Sequence, residues 1–314
     1  MRAYIARRLL QAIPTLLGLS ILIFTLVSLA PGDAAEEYAR RRAPAGEATP
    51  EQIQRAREEL GLDRPAVEQY VRWLRGFARG DLGLSFSTRR PVWEEIVGRV
   101  PATLELATVA SALMVLLALP LGVAAAVSHG RLSDHAMRFG ALAGASIPGF
   151  FLAYILIAVF ATRLGLFPVA GRQGWSSLFL PALTLALGPI ALTSRLLRSS
   201  LLEVLSEDYI RTASSKGLAR PRVVVKHGLR NAAIPVVTVF GAVLGRLLEG
   251  AVIAEVIFAW PGLGQLTYEA VSQRDYPMVQ GTVMLSGAAY LMINLLVDIS
   301  YSYLDPRVRL GEAA

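Results

Sequence analysis

The groups able to do chemistry crowd into one stretch, Glu203 to Pro235, EVLSEDYIRTASSKGLARPRVVVKHGLRNAAIP. It holds Glu203, Glu207 and Asp208, then Arg211, Lys216, Arg220, Arg222, Lys226 and Arg230, and its two lysines are the only ones in the chain. This polar segment lies between strongly apolar ones, so it is where the chain meets something else. Catalytic patterns do not account for it. His129, His135 and His227 lack the H-E-x-x-H spacing and have no cysteine partners, so a zinc site is not expected. No G-x-x-x-x-G-K-[ST], kinase or G-x-S-x-G pattern occurs, so the chain has no recognisable means of binding ATP or forming an acyl intermediate. If it pumps, the energy comes from another subunit or from an ion gradient.

The elements that must position these charges follow from local rules. Ser206 before Glu207, Asp208 and Tyr209 reads as an N-cap followed by acids in a first turn, and Gly217 can end that helix. The expected helix is about three turns long, and Pro221 can open a second one at its first position. Two short helices joined by a glycine turn are predicted.

Composition decides the setting. Of 314 residues, 54% are hydrophobic and 18% charged, with a mean hydropathy of +0.48, too apolar for a water-soluble globule and normal for a multi-spanning membrane protein. The net charge of +7 and pI near 10 do not indicate nucleic acid, because the basic residues cluster beside apolar runs, as cytoplasmic flanks do. With no cysteine, neither a disulfide framework nor a thiolate metal site is available.

Six apolar runs read as membrane spans, at about 9–30, 102–127, 137–161, 178–197, 235–257 and 278–304. Residues 31–100 form a long polar loop in which twelve acids balance twelve arginines. There, Thr49-Pro50-Glu51-Gln52 reads as a capping box with proline at the first helical position, ended by Gly61. Val67, Tyr70, Val71, Leu74 and Phe77 repeat at helical spacing, predicting an amphipathic helix on the outer face, with Trp73 and Trp93 as interface anchors. Gly140 and Gly144 stand four apart and invite close approach of another helix, while Pro148-Gly149 predicts a kink in the third span. Six spans place both termini on one side. Arginine flanks at the N-terminus, the second-to-third loop, the fourth-to-fifth loop and the C-terminus put that side in the cytoplasm. The fold class is therefore an all-α membrane protein, a six-helix bundle with a long extracytoplasmic loop after its first helix.

Ionisable and polar groups inside the spans are Arg246, Glu249, Asn294 and Asp298. Glu249, Asn294 and Asp298 either line a polar cavity or pair between helices. A gradient-driven secondary transporter would need inverted repeats with paired broken helices, and the halves show no such match. A membrane-embedded enzyme would need an intramembrane histidine, carboxylate or serine constellation, and none is apparent.

Arg211-Thr212-Ala213-Ser214-Ser215-Lys216-Gly217 resembles the EAA loop of the permease subunits of binding-protein-dependent ABC importers. Arginine and threonine stand where glutamate and alanine are usual, and Pro235 comes later. Those departures are similar to the dipeptide/oligopeptide branch, as are His227, Leu229, Arg230-Asn231-Ala232 and Ile234-Pro235. The opening Tyr4-Ile5 with Arg7-Arg8-Leu9-Leu10, then Pro31-Gly32-Asp33, Gly80-Asp81-Leu82-Gly83 with Ser85, Pro261-Gly262-Leu263-Gly264 and Asp305-Pro306-Arg307 resemble the same branch, in order, over essentially the whole chain. The long first loop points to its B-type permease.

The resemblance implies a type I importer permease. Its coupling loop, 203–234, seats in a cleft of an ATPase subunit, with Glu207, Asp208, Tyr209, Arg211, Thr212, Ala213 and Lys216 as the docking surface and Gly217 at the turn. It implies a second permease subunit, two ATPase subunits that bind ATP and Mg, and an extracytoplasmic substrate-binding protein. The chain itself would hold no cofactor or metal, act as a non-catalytic subunit in the lipid of a bacterial or archaeal inner membrane, and carry peptides, with nickel or glutathione as the alternative cargo.

Overall fold

Proline and glycine set where the helices of this chain begin, bend and stop, and a computed structural model shows how. It describes residues 2–30, 32–43 and 46–304. Among these the only strand-like pairing is a single antiparallel bridge between Leu84 and Pro91. The chain divides into two compact units, residues 1–103 with 261–299 and residues 104–260 with 300–314.

In the first unit, α1 (Arg2–Leu29) runs through Pro14 without ending and exposes Leu10, Ile21, Leu22, Leu26 and Leu29, an apolar surface suited to lipid. α2 (Ala34–Arg42) is capped by Asp33, whose Oδ1 accepts the Ala35 N–H at 2.9 Å. α3 (Pro50–Leu60) has the capping box that its sequence encodes: Gln52 N–H donates to Thr49 Oγ1 at 3.3 Å and Thr49 N–H to Gln52 Oε1 at 2.9 Å. Gly61 closes it with φ of 69°, where a Cβ would be strained. α4 (Ala66–Ala78) meets α1 through an aromatic seam. Phe24 lies edge-on to Tyr70 at 5.4 Å and 6.0 Å from Trp73, and the Tyr70 and Ser20 hydroxyls share a hydrogen bond of 2.8 Å. Val67 and Val71, expected on the apolar face, are exposed; the packed side is Tyr70, Trp73, Leu74 and Phe77.

α5 (Val92–Val127) starts well before the apolar run at 102, and its first turns join a core of Val92, Ile96, Leu266, Ala270 and Met278. The last two members come from α12 (Leu263–Ser272) and α13 (Tyr276–Leu304). A Cβ on Gly281 of α13 would come within 2.7 Å of Val92 Cγ1, so only glycine permits this approach.

In the second unit, α6 (Leu132–Ser146) and α7 (Gly149–Leu156), the latter continued by wider turns over Ile157–Arg163, meet at 107°. The kink expected in one span is thus a sharp corner. Pro148 has no N–H to donate, and Ile147 before it is extended (φ −78°, ψ 125°), which ends α6 there. α8 (Trp175–Leu205) continues past the apolar run that ends at 197 and absorbs Pro181 and Pro189. Gly122 of α5 lets α8 approach so closely that a Cβ there would sit 2.9 Å from the Ser194 carbonyl. α9 (Asp208–Ser215) follows. Then α10 (Arg220–Arg222), a stretch of wider turns at Val223–Leu229 and α11 (Arg230–Ile257) run end to end. No helix end falls at Pro235: the polar segment and the following apolar one form one helical rod, bent by 43° near residue 238. Ala126, Leu197, Leu201, Val224, Ala232 and Val236 form the core that joins α8 to this rod.

By length and apolarity, four helices among the described residues can cross a membrane, or up to six if each bent pair is one span.

Candidate functional site

α9 is amphipathic across a short length. Ile210 and Ala213 are buried against Val223, with Leu205 and Leu218 at the margins, which clamps the helix between the end of α8 and the start of the rod. Glu207, Asp208, Tyr209, Arg211, Thr212 and Lys216 are exposed. Of the predicted docking residues, the fold therefore gathers six on the outer side. It turns Ala213 inward, because three residues separate it from Ile210 and they share one helix face.

Three details differ from the local rules. α9 has eight residues, about two turns rather than three. Ser206 does not cap it; its hydroxyl donates back to the Glu203 carbonyl at 2.6 Å, closing α8, and Glu207 takes the N-cap position without a side-chain bond. Pro221 stands second, not first, in its helix. Gly217 does make the turn, with φ of 78°.

Hydrogen bonds stiffen the small helix. Thr212 Oγ1 donates to the Asp208 carbonyl at 3.0 Å, and Ser214 and Ser215 donate to the carbonyls of Ile210 and Arg211 at 3.0 Å each. Asn231 Nδ2 donates to the Tyr209 hydroxyl at 2.7 Å, tying α9 to α11. The Arg211–Asp208 pair, at 3.4 Å and fully solvated, contributes little to stability and leaves both charges free for a partner. The arrangement can accept a docked surface and pass a displacement to α8 and α11 together.

Arg246, Glu249 and Asp298 lie outside the residues whose side chains are described, and Asn294 is half-buried on α13. Sequence reasoning missed four buried acids, the first of them Glu37 of α2, which accepts from Arg40 and Arg41 at 2.7 and 2.8 Å. Glu255 of α11 is fully buried. Asp275 accepts hydrogen bonds from Ser85 Oγ at 2.5 Å, the N–H groups of Phe86 and Ser87 at 3.1 Å each, and Met278 N–H at 3.3 Å. Asp134 binds Arg198 through two bonds of 2.7 Å and the Gly130 N–H at 3.1 Å. Asp275 before Tyr276-Pro277 carries a legible signal, an N-cap at the head of an apolar run. Asp134 carries none, since its partner is 64 residues away.

The family described as "Binding-protein-dependent transport system inner membrane component" matches residues 118–310, and the corresponding N-terminal family matches residues 1–107. The chain is 41% identical to the dipeptide transport system permease protein DppB of Escherichia coli K12, covering 98% of this chain and 99% of that protein. It is 42% identical to the glutathione transport system permease protein GsiC of Escherichia coli O6:H1, covering 98% of each. Among solved structures, a chain of the inward-facing MetNI methionine ABC transporter superposes with a TM-score of 0.56 at 21% identity, over 67% of this chain and 96% of that one. An amino acid ABC transporter chain superposes at 0.52 and 15% identity, over 68% and 94%. At those identities the structural likeness speaks to fold alone.

Proposed function

Because this chain belongs to the binding-protein-dependent transport system inner membrane component family, we propose that it is the B-type permease subunit of an ATP-driven peptide importer, supplying half of the translocation pathway. It is a multi-pass membrane protein and a non-catalytic subunit. In this reading it spans a bacterial or archaeal inner membrane six times, with both termini cytoplasmic and residues 31–100 outside. A second permease, two ATPase subunits that bind ATP and Mg, and an extracytoplasmic binding protein complete the assembly.

The observation that carries the coupling assignment is α9, whose outer face is charged while its inner face is locked onto two long helices at once. Movement of an ATPase subunit against Glu207, Asp208, Tyr209, Arg211, Thr212 and Lys216 would shift α8 and the α10–α11 rod together. Ala213 serves as the inner seat and Gly217 as the hinge. Glu249, Asn294 and Asp298 remain the candidates for the translocation path.

The test is ATPase activity of the complex purified with its presumed partners. The variant Gly217→Pro with Arg211→Glu forces φ near −65° on a residue held at 78° and reverses a docking charge. Stimulation by binding protein is expected in the wild type and lost, or assembly lost, in the variant. If no ATPase co-purifies, or the variant behaves as wild type, the reading fails. The GsiC relative makes glutathione the cargo to test against. Uptake of a labelled dipeptide in competition with glutathione separates the two, and dipeptide uptake unaffected by glutathione is expected.

A further inference from the structure

A groove of about 890 Å³ lies between α6 and α8 and is cationic at one end and apolar at the other. On α6 the order along the helix is His135, Arg138, then Phe139 and Leu142, a rise of roughly 6 Å from Arg138 to Leu142. On α8, which runs the opposite way here, it is Leu192, then Arg195 and Arg198. The bonds from Asp134 to Arg198 bring the two cationic ends level. Two helices therefore repeat the same gradient in register.

The charges are available. Arg198 is neutralised by Asp134, but Arg138 and Arg195 make no ion pair among the described residues, and no acid lines the groove. The apolar end is equally open: Phe139 is 73% and Leu142 55% exposed. A second cleft of about 220 Å³ shares Arg138, Arg195 and Arg198 and continues between α5, α6 and α8 along Gly140, Gly144 and Ala191. Nothing lies within 4 Å of a Cβ placed at either glycine, so the glycine spacing that invites a helix leaves room for a slender chain in this subunit.

We infer that this groove binds one anionic phospholipid, with its phosphate between Arg138 and Arg195, one acyl chain along Phe139 and Leu142 and the other in the Gly140–Gly144 cleft. Guanidinium groups suit phosphate because they offer paired donors, and basic pockets between membrane helices take anionic headgroups. A soluble anion would use the charges but not the apolar wall. A neutral lipid would use the wall but not the charges. The inference concerns this chain alone and stands whether or not the cargo is a peptide.

The experiment is native mass spectrometry of the full chain and of the co-purified complex, titrated with dioleoyl phosphatidylglycerol or dioleoyl phosphatidylcholine. Tenfold or greater preference for phosphatidylglycerol is expected in both preparations. Arg138→Gln with Arg195→Gln should abolish that preference, and Gly140→Leu, which fills the cleft and leaves the cations, should weaken phosphatidylglycerol retention severalfold. Equal retention of the two lipids, preference unchanged in the double variant, or displacement by glycerol 1-phosphate at matched concentration would overturn the proposal. So would binding by the isolated chain that disappears in the complex, which would assign the groove to the second permease.

Discussion

Asp275 and Asp134 are buried to nearly the same extent, 2% and 1% exposed, yet one is held by neutral donors and the other by an opposite charge. Asp275 sits where residues 85–87 meet the start of α13, with backbone N–H groups as three of its four donors. Asp134 sits where α6 meets the end of α8, facing a guanidinium. The difference follows from what each joint connects. A loop has unpaired N–H groups to offer, and a carboxylate gathers them while capping the next helix. Packed helices offer few spare backbone donors, and Asp134 finds only the Gly130 N–H, so the rest of its charge is met by a side chain long enough to cross from α8. The loop joint is therefore fixed by chain geometry and the helix joint by a replaceable pair.

The largest effect that tests this contrast comes from Arg198→Ala. It leaves Asp134 buried without its counter-charge and should cost about 3–5 kcal/mol. Replacing both partners with apolar residues, Asp134→Leu with Arg198→Met, should restore stability to near wild type or above. Thermal unfolding of the purified chain in detergent measures both, and a double variant no better than Arg198→Ala would refute the replaceable-pair account. Asp275→Ala comes next, at about 2–3 kcal/mol, because it strands backbone donors that no second substitution can remove. Asp275→Asn, which keeps one acceptor oxygen, should recover part of that loss in the same unfolding measurement; no recovery would mean that shape rather than hydrogen bonding holds the joint. His129→Ala is the smallest. His129 lies 3.5 Å from Asp134 and 3.0 Å from Arg198 but is 63% exposed, so the change should stay below about 1 kcal/mol. A loss comparable to that of Arg198→Ala would show that the neutralisation is shared with His129.

Much of the local structure was legible in the residues. Thr49, Pro50, Gln52 and Gly61 bound α3 as their types require, and Gly217 makes its left-handed turn. The exposure of Asp208, Arg211 and Lys216 follows from charge. What failed were inferences about continuity. Pro148 ends a helix that was expected to bend, whereas Pro14, Pro181, Pro189 and Pro235 stay inside helices. A proline's local cost is the same at each site, and only the packing around it decides whether the helix survives. Ser206 likewise could accept an N–H at the start of α9 or donate to a carbonyl at the end of α8, and its hydroxyl donates to the Glu203 carbonyl.

By itself the sequence determined the membrane setting, the helical class, the family and the existence of the polar segment, because each rests on composition or on spacing within a few residues. The tertiary structure decided that α9 hides Ala213, that the polar segment runs into α11, and that Asp134 meets Arg198 and Asp275 meets Ser85. Those outcomes depend on partners 64 and 190 residues apart, or on which face of a helix is covered, and no local pattern encodes either.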